Sequence, residues 1–468
     1  MKVFSSKNRP VHFGPYPVER LKRISKVDLS SVPDMAPLTF QRPEMPENIV
    51  NAMGEYQAML DAIRDGLINK VEAVIPEDPQ TRADHLKAFG YFNDAAMIGI
   101  CALPDAAVLD RPILNPDIDR LADALRTRQT KTLASGIDVI MADLKESMEA
   151  PPTTIEGHTH AIVFLYDNPR ALKAKERGGD WLKDAHAHRA SLRASETTSV
   201  LANYIRLLGF DAKSHSCSAS DVNLNMLAVA AGLLWYHDGT LAAPFVGEDF
   251  GLGAITCRMD LAVDHPLAPP SKQSWFHSKG PAWWLGTGGS KTAWNRDPYR
   301  TRRFVDGPHP FETLKRVDKP TTFIDEPRVA RVPKRTDMFA RAQFGDMGKA
   351  LQEGAKGGHY ARKSAPSFAQ RRALGAFVLL QDGTPNPTGE RPNDPQRNAD
   401  NLKAASYFLG VDAVGLSRCP DWAWYSHDAT GEKIDPPHPN AISMIIDQGF
   451  ETMEGASGDD WISVAQSM

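Results

Sequence analysis

The stretch Ala83–Phe92, ADHLKAFGYF, occurs a second time at Ala399–Phe408 as ADNLKAASYF. The two copies are identical at seven of ten positions and lie 316 residues apart, and the collinear matches beyond them keep that spacing first and a spacing of 280 afterwards. These further matches are Gly99 with Gly415, Pro104 with Pro420, Asp105 with Asp421, His158 with His438, Ala161 with Ala441, Ile162 with Ile442, Asp167 with Asp447, Asp180 with Asp460 and Trp181 with Trp461. A repeat of this length exceeds a solenoid unit, so it predicts a duplicated, domain-sized module.

The second copy is shorter than the first. At the spacing of 280 residues, Met468 falls on His188, so nothing in the second copy corresponds to residues 189–268. The repeat therefore predicts a complete first module and an incomplete second one.

Composition narrows the class of protein. The 468 residues are 42% hydrophobic and 24% charged, which is ordinary for a globular protein of two or three domains. A formal net charge of −4 gives no argument for nucleic acid or an anionic membrane as a partner. The N-terminus has no apolar run, and Met226–Trp235 is far shorter than the roughly 20 residues that span a bilayer. We expect a cytoplasmic protein with no membrane partner.

Strands that alternate with helices predict an α/β fold. The predicted strands are Met97–Leu103, His160–Tyr166, Asp211–Cys217 and Leu252–Met259, and the predicted helices include Ala83–Phe92, 117–148, Asp184–Leu208 and Val222–Trp235. The predicted domains are an extended N-terminal arm (1–46), a first module (47–268), an irregular connector (269–376) and the start of a second module (377–468).

Three segments of the first module resemble motifs of a known family. They are NYIRLLGFDAKSH (203–215), MLAVAAGLL (226–234) and GLGAITCRMDLAVDHPL (251–267). They resemble the corrinoid- and iron–sulfur-dependent reductive dehalogenases and the related epoxyqueuosine reductases. The pair of modules is similar to the cytoplasmic, NADPH-linked catabolic dehalogenases of halogenated phenols and hydroxybenzoates.

The resemblance implies a fold, cofactors and partners. The fold is a duplicated corrinoid-binding-type module, nitroreductase-like α/β, whose first copy is vestigial and whose second copy is incomplete here. The family uses cobalamin and two [4Fe–4S] clusters, receives its electrons from NADPH through flavin, and acts on small halogenated aromatic substrates. The clusters lie in a ferredoxin-like C-terminal domain, so this chain would need that missing portion or a separate redox partner.

Two departures from the family pattern concern the cofactors. Leu234, followed by Trp235, stands where the family turn has a glycine that lets backbone approach a large planar ligand. We therefore expect the first module to bind no corrinoid, and we assign no cofactor-binding residue. The cysteines Cys101, Cys217, Cys257 and Cys419 are isolated, so cluster ligands are absent from this sequence. The chain alone is not expected to turn over.

The segment Cys419–Asp428, CPDWAWYSHD, follows the first repeated strand and is rich in reactive groups. The resemblance implies that Tyr425 is the catalytic proton donor, assisted by a lysine beyond Met468. Trp422 and Trp424 are candidates for the walls of an aromatic substrate site. The first module has Ala106–Leu109 at these positions, without a phenol.

Less specific interpretations stay open. The WAWY segment is also typical of core packing beneath a loop, with Tyr425 hydrogen-bonded and inert. The alternative function is a non-catalytic corrinoid-fold scaffold that binds a partner subunit. His158 with His160, and His186 with His188, invite a metal site, but no cysteine or acidic pair completes one, and structural roles are favoured.

Overall fold

The structure is a computed structural model that describes residues 14–16, 18–133, 135–173, 175–237, 239–269, 310–355, 369–389 and 392–446. The sequence matches at Asp447, Asp460 and Trp461 lie outside the described residues. Within the described ranges no helix is both long and apolar enough to cross a membrane.

The described chain is a mixed α/β fold, as the alternating pattern predicts. The strands are β1 (Met97–Ala102), β2 (Val108–Ile113), β3 (His160–Asp167), β4 (Ala212–His215), β5 (Ser220–Val222), β6 (Trp235–His237), β7 (Thr240–Ala242), β8 (Phe250–Cys257), β9 (Ala413–Arg418) and β10 (Asn440–Ile445). The helices are α1 (Ile49–Ala62), α2 (Pro79–Phe92), α3 (Ile118–Thr127), α4 (Ser135–Met148), α5 (His186–Leu207), α6 (Leu224–Ala230), α7 (Met338–Gln343), α8 (Lys349–Ala355), α9 (Arg371–Leu380) and α10 (Pro395–Leu409).

A four-stranded antiparallel sheet in the order β1-β3-β8-β4 is the centre of the first module. Strand β3 is apolar along nearly its whole length, HAIVFLYD, because it has packed layers on both faces. On one face Ile162 and Phe164 pack with α2 and α5. On the other face Val163 and Leu165 pack with α6 and with the N-terminal segment, including Tyr16.

One predicted helix is shorter than the sequence suggested. In place of a helix over Val222–Trp235, α6 ends at Ala230, and Trp235 begins the two-residue-wide ribbon of β6 and β7. The Asn223 side chain caps the helix start by accepting from the amides of Asn225 and Met226. Gly232, at φ +68°, turns the chain out of the helix. An unbroken apolar run does not distinguish a buried helix from a buried strand, which is why the pattern overran this turn.

The second copy repeats the first element by element. Helix α2 begins at Pro79 after the cap Asp78, and α10 begins at Pro395 after the cap Asp394, with the same spacing of 316 residues. Strands β1 and β9 correspond residue for residue at that spacing. So do the short 3-10 turns Asp105–Ala107 and Asp421–Ala423. Strand β10 begins where the spacing of 280 places the start of β3.

Strand pairing is also the same in the two copies. In the first module Met97 lies opposite Leu165 and Gly99 opposite Val163. Their counterparts Ala413 and Ile445, and Gly415 and Ser443, lie opposite each other in the antiparallel pair of β9 and β10. A slip of one residue would exchange the two faces of a strand, so an identical register over six pairs places corresponding side chains on corresponding faces.

Helices of the second copy and the connector pack on the first module. Tyr407 and Phe408 of α10 lie in one apolar cluster with Leu60 of α1 and Leu144 of α4. Helix α9 packs against α4, and it contains Phe377, the position at which the second module was predicted to open. The described part of the second copy is therefore anchored by its helix, whereas its strands extend from that anchor.

Equivalent glycines of the two copies provide a matched stability test. A Cβ on Gly99 would lie 2.4 Å from the Ala231 carbonyl oxygen, whereas a Cβ on Gly415 would meet no atom within 4 Å among the described residues. We expect Gly99→Ala to lower the free energy of unfolding by about 1–3 kcal/mol through overpacking. Gly415→Ala should leave it within about 0.5 kcal/mol. Urea denaturation of the full chain measures both, and equal losses would contradict the packing described.

Candidate active site

The candidate catalytic loop begins where β9 ends. The amide of Cys419 donates to the Pro439 carbonyl oxygen, and the turn Asp421–Ala423 then leads to Trp424 and Tyr425. In the first module the equivalent loop continues into β2, which pairs with β5. In the second copy the partner of the loop is instead residues 331–337 of the connector. The Val332 carbonyl accepts from Ser426, and Lys334 donates its amide to His427.

Three connector side chains position Tyr425. The Tyr425 hydroxyl donates to Asp337 Oδ2 at 2.8 Å, while Asp337 Oδ1 caps the start of α7 by accepting from the Phe339 amide at 2.8 Å. Arg331 holds the backbone, because its Nη2 donates to the Tyr425 carbonyl at 2.8 Å and to the Ile434 carbonyl at 2.6 Å. The Lys334 ammonium lies 5.9 Å from the centre of the Tyr425 ring.

These contacts set the protonation of the pair. The hydrogen bond to Asp337 raises the pKa of Tyr425, with burial and the carboxylate charge adding to the effect. The same hydrogen bond lowers the pKa of Asp337, to which the Phe339 amide and Lys334 also contribute. Both effects favour a neutral phenol beside an ionised carboxylate. Tyr425 therefore carries its proton at neutral pH.

The sequence did not reveal Asp337 or Lys334 as partners of Tyr425. The only local signal at Asp337 is its position as a cap before the helical MFARAQ, and that signal concerns α7 alone. The contact with Tyr425 joins residues 88 positions apart. No spacing rule predicts such a contact.

The two tryptophans of the loop have unpaired donors. Their indole Nε1 atoms are buried and make no hydrogen bond within the described part of the chain. The Trp424 ring is tilted against His438, with ring centres 6.3 Å apart. A buried N–H without an acceptor costs about 1–3 kcal/mol, so Trp422 and Trp424 offer two donors to an incoming acceptor. Their role as substrate walls stays a prediction.

The first-module turn does not fit a corrinoid. Leu234 is 1% exposed inside the apolar core, and the N-terminal segment covers the outside of the turn. Arg23 Nη1 donates to the Gly232 carbonyl at 2.7 Å and to the His265 carbonyl at 2.8 Å. Trp235 Nε1 donates to the Ala268 carbonyl. Side chains and backbone thus occupy the space that a ligand would need.

The cysteines do not fit an iron–sulfur cluster. Cys101, Cys217 and Cys257 are buried, and burial is the main cause that raises the pKa of each thiol to about 12. Thiols in that state are poor metal ligands, which must be thiolates. Among the described residues, no group of three or more His, Cys, Asp and Glu side chains is arranged to hold a metal ion.

The histidine pairs have separate hydrogen-bond partners. His158 Nδ1 contacts Thr256 Oγ1 at 2.8 Å, and the same hydroxyl contacts His215 Nε2 at 2.9 Å. Because the Asp221 amide donates to His215 Nδ1, the proton of His215 is on Nε2, and Thr256 donates to His158. His188 Nε2 contacts the Thr39 carbonyl. These contacts are structural.

A cavity of about 600 Å³ lies between the 171–186 loop and the start of α10, and no residue from 422 to 425 lines it. Its wall combines lysines with carboxylates, among them Asp180, which is paired with Arg397 at 2.7 Å. Volume alone would favour this cavity. The chemistry favours the loop, because Tyr425 there couples a protonated phenol to a carboxylate and a nearby ammonium.

The fold has solved counterparts. The chain matches an N-terminally tagged variant of the catabolic reductive dehalogenase NpRdhA at 33% identity, with a TM-score of 0.78 over 99% of this chain and 60% of that chain. The fold matches that of a reductive dehalogenase.

Two further structures extend the comparison. One is NpRdhA in complex with 3-bromo-4-hydroxybenzoic acid, at 34% identity and a TM-score of 0.77, and the other is a reductive dehalogenase described in terms of B12-dependent dehalogenation, at 34% identity and a TM-score of 0.76. Each covers 99% of this chain and 60% of its own, so this chain spans about three fifths of these neighbours. No protein-family model and no curated protein matches the chain.

The Tyr425 and Asp337 pair can be tested by titration. Asp337→Asn removes the charged acceptor and retains a side-chain oxygen that caps α7. We expect the pKa of Tyr425 to fall toward its ordinary value of about 10. Asp346→Asn is the control, because Asp346 pairs with Arg335. Carbon-13 NMR of tyrosine-labelled full chain follows the titration, with Tyr425→Phe identifying the signal. A Tyr425 pKa that is the same in both variants would contradict the geometry.

Proposed function

We propose that this chain is the two-module portion of a reductive dehalogenase that acts on halogenated phenols or hydroxybenzoates. The observation that carries the proposal is the likeness to dehalogenase structures over 99% of the chain at 33–34% identity. The substrate class is supported by the 3-bromo-4-hydroxybenzoic acid complex of NpRdhA. That the chain spans 60% of that protein makes its activity, substrate and partners part of the proposal.

Reductive dehalogenation replaces a carbon–halogen bond by a carbon–hydrogen bond, consuming two electrons and one proton and releasing halide. We assign the proton to Tyr425 Oη. Its raised pKa keeps the group protonated, and the carbon that loses halide is basic enough to take the proton. The phenolate formed would lie beside the Asp337 carboxylate, and the Lys334 ammonium, 5.9 Å from the ring, offsets that repulsion.

Substrate binding is assigned to the loop tryptophans. Their indole N–H groups are buried and unpaired within the described residues. A hydroxybenzoate presents carboxylate and phenol oxygens that accept hydrogen bonds, and its ring packs on indole faces. Trp422 and Trp424 would then orient the substrate relative to Tyr425.

Cobalamin and two [4Fe–4S] clusters belong to the proposal as groups held outside the described residues. When bound, they supply the electrons and accept the halogen. The first module is assigned as a vestigial copy, because Leu234 and Arg23 occupy the turn. The identical registers of β1 with β3 and of β9 with β10 support the duplication. We therefore propose that electrons reach the second module from a ferredoxin-like portion or a separate redox partner in the cytoplasm.

Halide release tests the proposed function. Anaerobic extract of cells expressing the natural locus, given cobalamin, a chemical reductant and 3-bromo-4-hydroxybenzoate, should release bromide. Tyr425→Phe should lower the rate by about 10²-fold or more, as expected for loss of a general acid. Tyr236→Phe, in the first module, should retain the rate.

Two outcomes would contradict the proposal in different ways. No bromide from the unaltered protein would remove dehalogenation and favour the scaffold function. Bromide release that survives Tyr425→Phe would remove the proton-donor role and leave the reaction.

A further inference from the structure

Strand β10 has one paired edge and one open edge. It pairs with β9, and the two form a sheet of two strands within the described chain. Its counterpart β3 is an interior strand, paired with β1 on one side and with β8 on the other. The position of β10 is therefore that of an interior strand with one neighbour missing.

The side chains of β10 are exposed where those of β3 are buried. Ile162, Phe164 and Leu165 are each 0% exposed. Their counterparts Ile442, Met444 and Ile445 are 46%, 57% and 61% exposed. Met444 lies on one face and Ile445 on the other, so both faces are uncovered. Burying one such side chain contributes about 1.5–3 kcal/mol, which favours a packed partner strongly over solvent.

The first module shows what covers this surface. Strand β8 pairs with β3, and α5 crosses so closely that a Cβ on Gly251 would lie 2.2 Å from the Ser191 amide. On the other face the end of α6 places the Ala231 carbonyl against Gly99. At Gly415, the counterpart of Gly99, the same space is open among the described residues.

We infer that the open edge of β10 docks a polypeptide that carries a β8-like strand, antiparallel to β10 and in the register of β3 with β8. This inference rests on the repeat proposed above and does not depend on dehalogenation. Because Ile162 pairs with Ile255, the residue opposite Ile442 is the partner's equivalent of Ile255. Phe164 and Tyr166 pair with Gly253 and Gly251, so the partner has small residues opposite Met444 and Ile446.

The partner also carries helices. Two sheet faces are exposed, and a lone strand would leave both uncovered. A second copy of this chain, paired through its own β10, would close the edge and would bring no helix to the face of Met444. The space over Gly415 instead fits an α6-like turn. The catabolic reductive dehalogenase structures, of which this chain covers 60%, have further polypeptide of the length required.

Disulfide cross-linking tests the edge and the register. The probe is a synthetic peptide with the sequence of residues 249–259, carrying Cys257→Ser and Ile255→Cys. The full chain carries Cys419→Ser, which removes its partly exposed thiol, and Ile442→Cys. Directly opposed residues have Cα atoms about 4.5–5.5 Å apart, within the range that a disulfide bridges. The matched control is Met444→Cys, which lies on the same face two residues along the strand.

We expect the Ile442→Cys chain to form at least about tenfold more cross-linked product than the Met444→Cys chain in a glutathione buffer. A peptide of the same composition in scrambled order should give neither product. Equal yields from the two chains, or no peptide product from either, would overturn the inference. A disulfide-linked dimer of the chain as the main product would assign the edge to a second copy. Bromide release is measured separately, so the inference and the proposed function can fail independently.

Discussion

A strand that is apolar on both faces is stable only when both faces and both edges are covered, and this constraint organises the chain. Strand β3 meets it in full: β1 and β8 pair with its edges, and α2, α5 and α6 cover its faces. The glycines at its margins follow from the same constraint, because Gly99 and Gly251 admit the backbone of the covering helices. Strand β10 has the same kind of sequence and register without that cover.

The candidate site depends on a second interaction, the hydrogen bond between Tyr425 and Asp337. One carboxylate both caps α7 and accepts from the phenol, so the position of the connector and the protonation of Tyr425 are coupled. In the first module the corresponding loop holds Val108 and Leu109 in β2, where it is sealed by β5. The two copies thus use the same loop for different purposes, structural in the first and chemical, as we propose, in the second.

Local pattern and internal repetition predicted much of this fold. The apolar runs located β1, β3 and β8, and Gly209, at φ +95°, ended α5 as expected. Matches at the two spacings placed the start of α10 and the strands β9 and β10 before any coordinates were considered. The contacts of Arg23 with the Gly232 turn and of Asp337 with Tyr425 were not predictable, because each joins distant segments through side chains that have no periodic signature. The overlong prediction for α6 failed because burial removes the polar face that marks helix period.

The contrast between β3 and β10 is the central claim, and amide hydrogen exchange of the full chain measures it directly. Exchange resolved by mass spectrometry should show the amides of His160–Asp167 protected almost to the limit of global unfolding. Those of Asn440–Ile445 should exchange orders of magnitude faster, because one edge and both faces of β10 are open to water. Equal protection of the two strands would contradict the account.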